Sequence, residues 1–131
     1  MYLLDTNICI FAINRKSVNV LEKIKLESKR GIFLSSITVA ELEYGVQNSQ
    51  HVDSNRLALL KFISIFNILN FSDQDATAYG RMKSELRKKG KLFGPLDMLI
   101  AAHAISQELI LVTNNMKEFQ NVENLKIEDW K

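Results

Sequence analysis

Asp5, Glu41, Asp97 and Glu118 are the side chains of this sequence whose type and placement suit chemistry. Asp5 ends a first apolar run, Glu41 lies in a helical stretch opened just after a second, and the turn after Leu109 to Val112 leads to Glu118. In an open parallel sheet, ligands bind beyond the carboxyl ends of the strands, so these three face one edge. Asp97 joins them only if the start of its own helix reaches that edge, which spacing alone does not establish. Clustered carboxylates with no cysteine or histidine beside them make a hard, oxygen-rich site suited to Mg²⁺ or Mn²⁺ rather than zinc. Such an ion lowers the pKa of a bound water and stabilises charge on a phosphodiester in transit, which is hydrolytic nuclease chemistry.

Each acid also has a plainer explanation. Asp5, with Asn7, suits a helix cap, since short polar side chains accept bonds from the first free N–H groups. Thr38-x-x-Glu41 is a capping-box pattern, which favours a structural glutamate there. Glu43 lies about 200° around the same helix and reads as a solvated charge. Asp97 is harder to explain structurally, because Leu96 to Ile105 is apolar nearly all round and such a helix is buried. A carboxylate there needs a cation, a donor network or a raised pKa. His103, six residues further and about 240° around the helix, is a satisfied histidine rather than a ligand, and His51 in a polar stretch gives no signal. Thr6, Ser36 and Thr113 stand at three strand ends, where they suit capping first and the orientation of water or phosphate second.

The elements that must position these groups follow from period and punctuation. Short strands are expected at Tyr2 to Leu4, Ile32 to Leu34, Asn67 to Phe71, Leu109 to Val112 and near Leu125 to Ile127. Helices are expected at Ile8 to Asn14 and Val18 to Ser28, then through Val39, Leu42 and Val46, and through Leu59, Phe62, Ile63 and Phe66. Ser72 with Asp75 forms a capping box for a helix through Tyr79, Met82 and Leu86 that Gly90 ends; Pro95 suits the first turn of another, to about Gln107. This alternation implies right-handed crossovers and a mostly parallel sheet of four to five strands flanked by helices, an α/β fold. With one proline and no linker or repeat, residues 1–131 read as one domain.

The composition, 47% hydrophobic and 24% charged, is that of an ordinary globular chain. No apolar stretch reaches the roughly 20 residues of a membrane span, and no signal segment opens the chain, so a cytoplasmic protein with no membrane contact is expected. The single Cys9 excludes an internal disulfide and, among Ile8, Ile10 and Phe11, reads as a small buried hydrophobe. Net charge is only +2, yet six of the 17 basic residues crowd into Arg81 to Lys91. Alone, that crowding is explained by the negative end of a helix dipole.

Five segments then fall in a telling order: LLDTNICIF (Leu3 to Phe11), SSITVAELEYG (Ser35 to Gly45), GPLDMLIAAHA (Gly94 to Ala104), LVTNNMKEF (Leu111 to Phe119) and EDW (Glu128 to Trp130). Together they resemble the PIN-domain ribonucleases, and specifically the VapC toxins of bacterial toxin–antitoxin pairs. The resemblance implies Mg²⁺ on Asp5 and Asp97, with Glu41 completing the shell or holding a water. It departs from the family at the fourth acid, where Thr113 is followed by Asn114 and Asn115; Glu118 replaces the missing charge or Asn115 acts as a neutral ligand. The family further implies an RNA substrate such as the anticodon region of a tRNA, and a cognate VapB-type antitoxin. It also implies a homodimer, higher toxin–antitoxin assemblies, and DNA contact only through the antitoxin. In that setting Arg87, Lys88 and Lys89 become candidates for phosphate contact. The alternative from another class is a receiver-like Mg²⁺-binding signalling domain, which lacks here an acidic pair after the first strand and a lysine ending the last.

Overall fold

The computed structural model describes residues 1–131. Five strands, β1 (Tyr2–Leu4), β2 (Ile32–Ser35), β3 (Asn67–Leu69), β4 (Ile110–Val112) and β5 (Ile127–Glu128), alternate with helices. The helices are α1 (Thr6–Ile13), α2 (Val18–Glu27), α3 (Ser36–Gln47), α4 (Val52–Ile63), α5 (Asp73–Lys88), α6 (Pro95–Ser106) and the single turn α7 (Met116–Phe119). The sheet runs β3-β2-β1-β4-β5 and every pairing is parallel. From β1 the chain winds outward through β2 and β3, then crosses back to β4 and β5. Strand order therefore reverses between β1 and β4, and a crevice opens beyond their carboxyl ends.

Side-chain alternation along the strands divides the core in two. Tyr2, Leu4, Ile32, Leu34 and Val112 point to one face, where they meet Ile8, Val20, Leu42, Leu59 and Phe62. Leu3 and Leu111 point to the other, against Met82, Leu86, Met98, Ile100 and Phe119. With both faces covered, the central strands have no polar side, and this is why they read as continuous apolar runs. The chain end is held by Trp130, whose ring packs edge-on against Tyr2 at 4.9 Å while its indole N–H donates to Glu128 at 3.0 Å.

Most expected elements are present, with shifts at their ends. β3 stops at Leu69, short of Phe71, and α4 ends at Ile63, leaving Phe66 beyond it. One expectation fails: Thr38 and Glu41 are not a capping box. Ser35 caps α3 by accepting from the Ile37 N–H at 3.1 Å, so Thr38 is already within the helix and Glu41 lies in its second turn. The Ser72–Asp75 box is real: the Asp75 carboxylate accepts from the Ser72 N–H at 2.7 Å and from the Ser72 hydroxyl at 3.0 Å.

Asp75 belongs to a buried polar chain that ties three elements together. It also accepts from Gln107 at 3.1 Å, just past the end of α6. Its Oδ2 lies 3.4 Å from His103 Nε2, and His103 Nδ1 lies 2.8 Å from Ser35 Oγ. Ser35 already accepts from Ile37, so its hydroxyl proton is free for Nδ1. That assignment puts the ring proton on Nε2, facing the carboxylate. Burial lowers the His103 pKa more than Asp75 raises it, and the ring is neutral. For Asp75 burial pushes upward, but the hydrogen bonds from Ser72, Ser106 and Gln107 outweigh it and hold the carboxyl below its ordinary range. The expected histidine is thus an interior one, joining the cap of α3 to the body of α6 and the start of α5. Asp75→Ala removes the helix box and strands buried donors; it is expected to lower the unfolding free energy by about 2–4 kcal/mol, read from the urea midpoint at constant slope.

Candidate active site

The crevice between β1 and β4 gathers the acids. Asp5, only 3% exposed, directly follows β1; its own N–H donates to Val112 O at 3.0 Å and its carboxylate accepts from the Ile8 N–H at 2.9 Å. It is therefore both the cap of α1 and a member of the cluster, so the two readings of Asp5 coexist. Glu41 reaches the same place along α3, and its Oε1 accepts from the Thr6 hydroxyl at 2.7 Å. Asp97 sits in the first turn of α6, where Pro95 starts the helix. The body of that helix is buried as its apolar sequence requires, but the first turn opens to solvent: Leu96 is 45% exposed and Asp97 only half-buried. Asp97 is thus less enclosed than its helix implied.

The two candidates for the fourth position are bonded to each other. Asn115 Nδ2 donates to Glu118 Oε2 at 2.9 Å, and the Asn115 N–H donates to Thr113 Oγ1 at 3.0 Å. Glu118, next to the buried Phe119, is close enough to Asp97 to raise its pKa. Both candidates for the fourth position therefore lie together, the amide bonded to the carboxylate.

Electrostatics show what the cluster lacks. Burial, opposed by hydrogen bonds from Thr113 and the Ile8 N–H and reinforced by Asp97 and Glu41, pushes the Asp5 carboxyl up to about 6. Burial and then the charges of Glu41 and Glu118 raise Asp97. None of the four acids is in an ion pair; the three ion pairs of the chain are Glu27–Arg30, Glu43–Arg56 and Glu123–Lys89. No three of the chain's His, Cys, Asp or Glu side chains stand close enough together to form a metal-holding group by themselves. An open, purely oxygen donor set with unneutralised charge fits Mg²⁺ or Mn²⁺, since Mg²⁺ uses one or two carboxylates and keeps several waters.

Other expected residues divide clearly. Thr6 and Asn7 line a cleft of about 580 Å³ with Glu41, Tyr44, Leu96 and Asp97. Thr113 is buried beneath Asp5. Ser36 is turned elsewhere, accepting from the Phe71 N–H at 3.1 Å, so its role is structural. Glu43 is not simply solvated: Arg56 clamps both its oxygens, at 2.8 and 3.2 Å. Cys9 is fully buried with its pKa raised by burial, and is inert. Arg87 and Lys88 are exposed near the end of α5, and Lys89 is bound to Glu123 at 3.0 Å. Ser35 and Tyr44 were within the SSITVAELEYG segment but carried no separate signal; the structure gives Ser35 the cap of α3 and puts Tyr44 on the cleft wall.

A parallel sheet with acids converging at its switch point is the arrangement of a PIN domain, and the PIN domain model matches residues 2–125. Ribonuclease VapC2 of Rickettsia felis is 43% identical over 131 residues, covering 99% of this chain and 98% of that protein. The tRNA(fMet)-specific endonuclease VapC of Shigella flexneri is 41% identical over 129 residues, covering 98% and 97%. Among solved structures, VapBC2 from Rickettsia felis bound to a DNA fragment from their promoter superposes with a TM-score of 0.95 at 41% identity, covering 99% of this chain and 98% of that one. DNA-bound VapBC from Salmonella typhimurium also gives 0.95, at 40% identity over 99% and 98%. The chain belongs to the VapC ribonucleases of the PIN-domain family. Ribonucleases of this family are generally dependent on a divalent metal, and the receiver-like alternative falls away. No helix is long and apolar enough to cross a membrane.

The raised Asp5 pKa carries a stability consequence. Its folded value, about 6, lies above the ordinary 3.8, so between those pH values the folded chain binds more protons than the unfolded one. Stability therefore falls as pH rises through that window and stays low above it. Asp5→Asn keeps the cap and removes the charge. In chelator at pH 7.5 the variant is expected to be more stable than the parent by about 2–3 kcal/mol, the difference closing near pH 4 in urea titrations.

Proposed function

We propose that residues 1–131 act as one PIN domain, a divalent-metal-dependent endoribonuclease that serves as the toxin of a VapBC pair in the cytoplasm. The observation that carries this reading is the convergence of Asp5, Glu41, Asp97 and Glu118 with no basic partner at the β1–β4 switch point. Asp5 and Asp97 hold Mg²⁺, or Mn²⁺ in its place, and Glu41 completes the shell or holds a water. The bound ion supplies an activated water and offsets charge on the phosphodiester under attack. The chain's own groups orient these parts. Thr6 fixes the Glu41 carboxylate by its hydrogen bond, Asn115 fixes Glu118, and Thr113 supports both Asp5 and the turn that carries Asn115.

RNA is the substrate class, with tRNA supported by the similarity to the tRNA(fMet)-specific endonuclease. Similarity to VapBC complexes, some bound to DNA, supports a VapB-type antitoxin as the partner. The toxin then acts as a homodimer within larger toxin–antitoxin complexes and reaches DNA through the antitoxin. An acidic cleft also restrains itself without a cation, because the carboxylates repel a phosphodiester as they repel one another.

Cleavage of labelled tRNA by the purified protein tests the reading. Asp5→Ala and Asp97→Ala are each expected to lower the rate at least roughly 100-fold while the circular dichroism spectrum stays that of the parent. Thr6→Val, which frees Glu41, is expected to cost roughly tenfold. Chelator should abolish cleavage and Mg²⁺ or Mn²⁺ restore it. Cleavage unchanged in both aspartate variants would overturn the assignment.

A further inference from the structure

The cleft lined by Thr6, Asn7, Glu41, Tyr44, Leu96 and Asp97 contains no basic side chain. A polyanion drawn to this site must meet its cations nearby. Of the crowded basic residues at the end of α5, Lys89 is committed to Glu123, and Arg87 and Lys88 do not line the cleft. By the 100° step per residue they lie well away from the face that buries Met82 and Leu86, and so point to solvent. Within the basic cluster, Arg87 and Lys88 therefore do not line the cleft, while Lys91 lies beyond the end of the helix.

A second cavity, of about 250 Å³, is lined by Lys91, Lys117, Glu118, Asn115 and Asn121 among others. Neither lysine is in an ion pair. Glu118 Oε2 accepts from Asn115 Nδ2 at 2.9 Å. Asn121 is held in place, its Nδ2 donating to the carbonyls of Lys117 and Glu118 at 3.3 and 3.4 Å. Glu118 lines this cavity and Asp97 lines the first, and the charge of Glu118 reaches Asp97. With a water's share of volume at roughly 30 Å³, the second has room for a hydrated phosphate.

We propose that Lys91 and Lys117 form a phosphate subsite for the RNA strand, one step along the backbone from the phosphodiester at the carboxylates. This rests on the ribonuclease reading. Glu118 repels phosphate from its own wall, which leaves the lysine wall as the place for it. The strand thus runs from the Tyr44 side of the cleft, past Glu41 and Asp97, to the lysines.

Binding of labelled total tRNA in chelator, titrated between about 50 and 200 mM salt, reads this without catalysis. Lys91→Ala with Lys117→Ala is expected to reduce the slope of log affinity against log salt by about 1.4, two phosphate contacts at roughly 0.7 each for a single strand. Affinity at low salt should fall roughly tenfold or more, with an unchanged thermal midpoint. Lys91→Arg with Lys117→Arg should keep the slope, and Arg87→Ala with Lys88→Ala should leave both quantities unchanged. An unchanged slope in the double alanine variant overturns the subsite, as does an equal loss from the Arg87 and Lys88 pair. The subsite is equally overturned if the alanine pair weakens only the hold on the antitoxin. If the parent protein neither binds nor cleaves RNA with metal present, the ribonuclease reading itself fails; if it cleaves while the alanine pair binds equally well, only the subsite fails.

Discussion

Repulsion among carboxylates that have no basic partner is the constraint on which the rest of this structure depends. Water would screen such charges, but Asp5 is nearly enclosed, so its charge is opposed both by lost hydration and by Asp97 and Glu41. The folded chain tolerates this only because the remainder of the fold over-determines the positions of the acids. A divalent cation held there would reverse the sign of the interaction, so charges that weaken the metal-free chain would become an affinity for metal.

Rigid elements supply the over-determination. Asp5 is anchored at the end of the central strand, with backbone pairing on both sides and a helix cap of its own making. Glu41 depends on α3, whose start is fixed by Ser35; Asp97 depends on α6, whose body is locked by His103 against that same serine. The neutral imidazole joins the two helices without adding charge near the acids.

Where polar side chains serve the site, they act through one another. Thr6 holds Glu41, and Asn115 holds Glu118. Such bonds limit the freedom of flexible glutamates that would otherwise swing away from like charges. Shorter aspartates at Asp5 and Asp97 need less help, because backbone placement already decides where their oxygens lie.

Much of the fold was legible in local pattern. Apolar runs such as Tyr2 to Leu4 and Leu109 to Val112 identified strands buried on both faces, and the Ser72–Asp75 box and Pro95 identified helix starts, because these signals act over a few residues. Thr38-x-x-Glu41 misled, since the same local pattern occurs inside a helix once Ser35 has begun it a turn earlier. The residue types of the site and their strand-end positions were also determined by sequence, as was the absence of soft ligands near them. Only the tertiary structure decided that Asp97 reaches the edge held by Asp5 and Glu41, that Asn115 is bonded to Glu118, and that Lys91 and Lys117, rather than Arg87 and Lys88, line a cavity with Glu118. Those outcomes depend on how α6 and the turn after β4 pack across the sheet. Packing is set by contacts between residues distant along the chain, which no local spacing records.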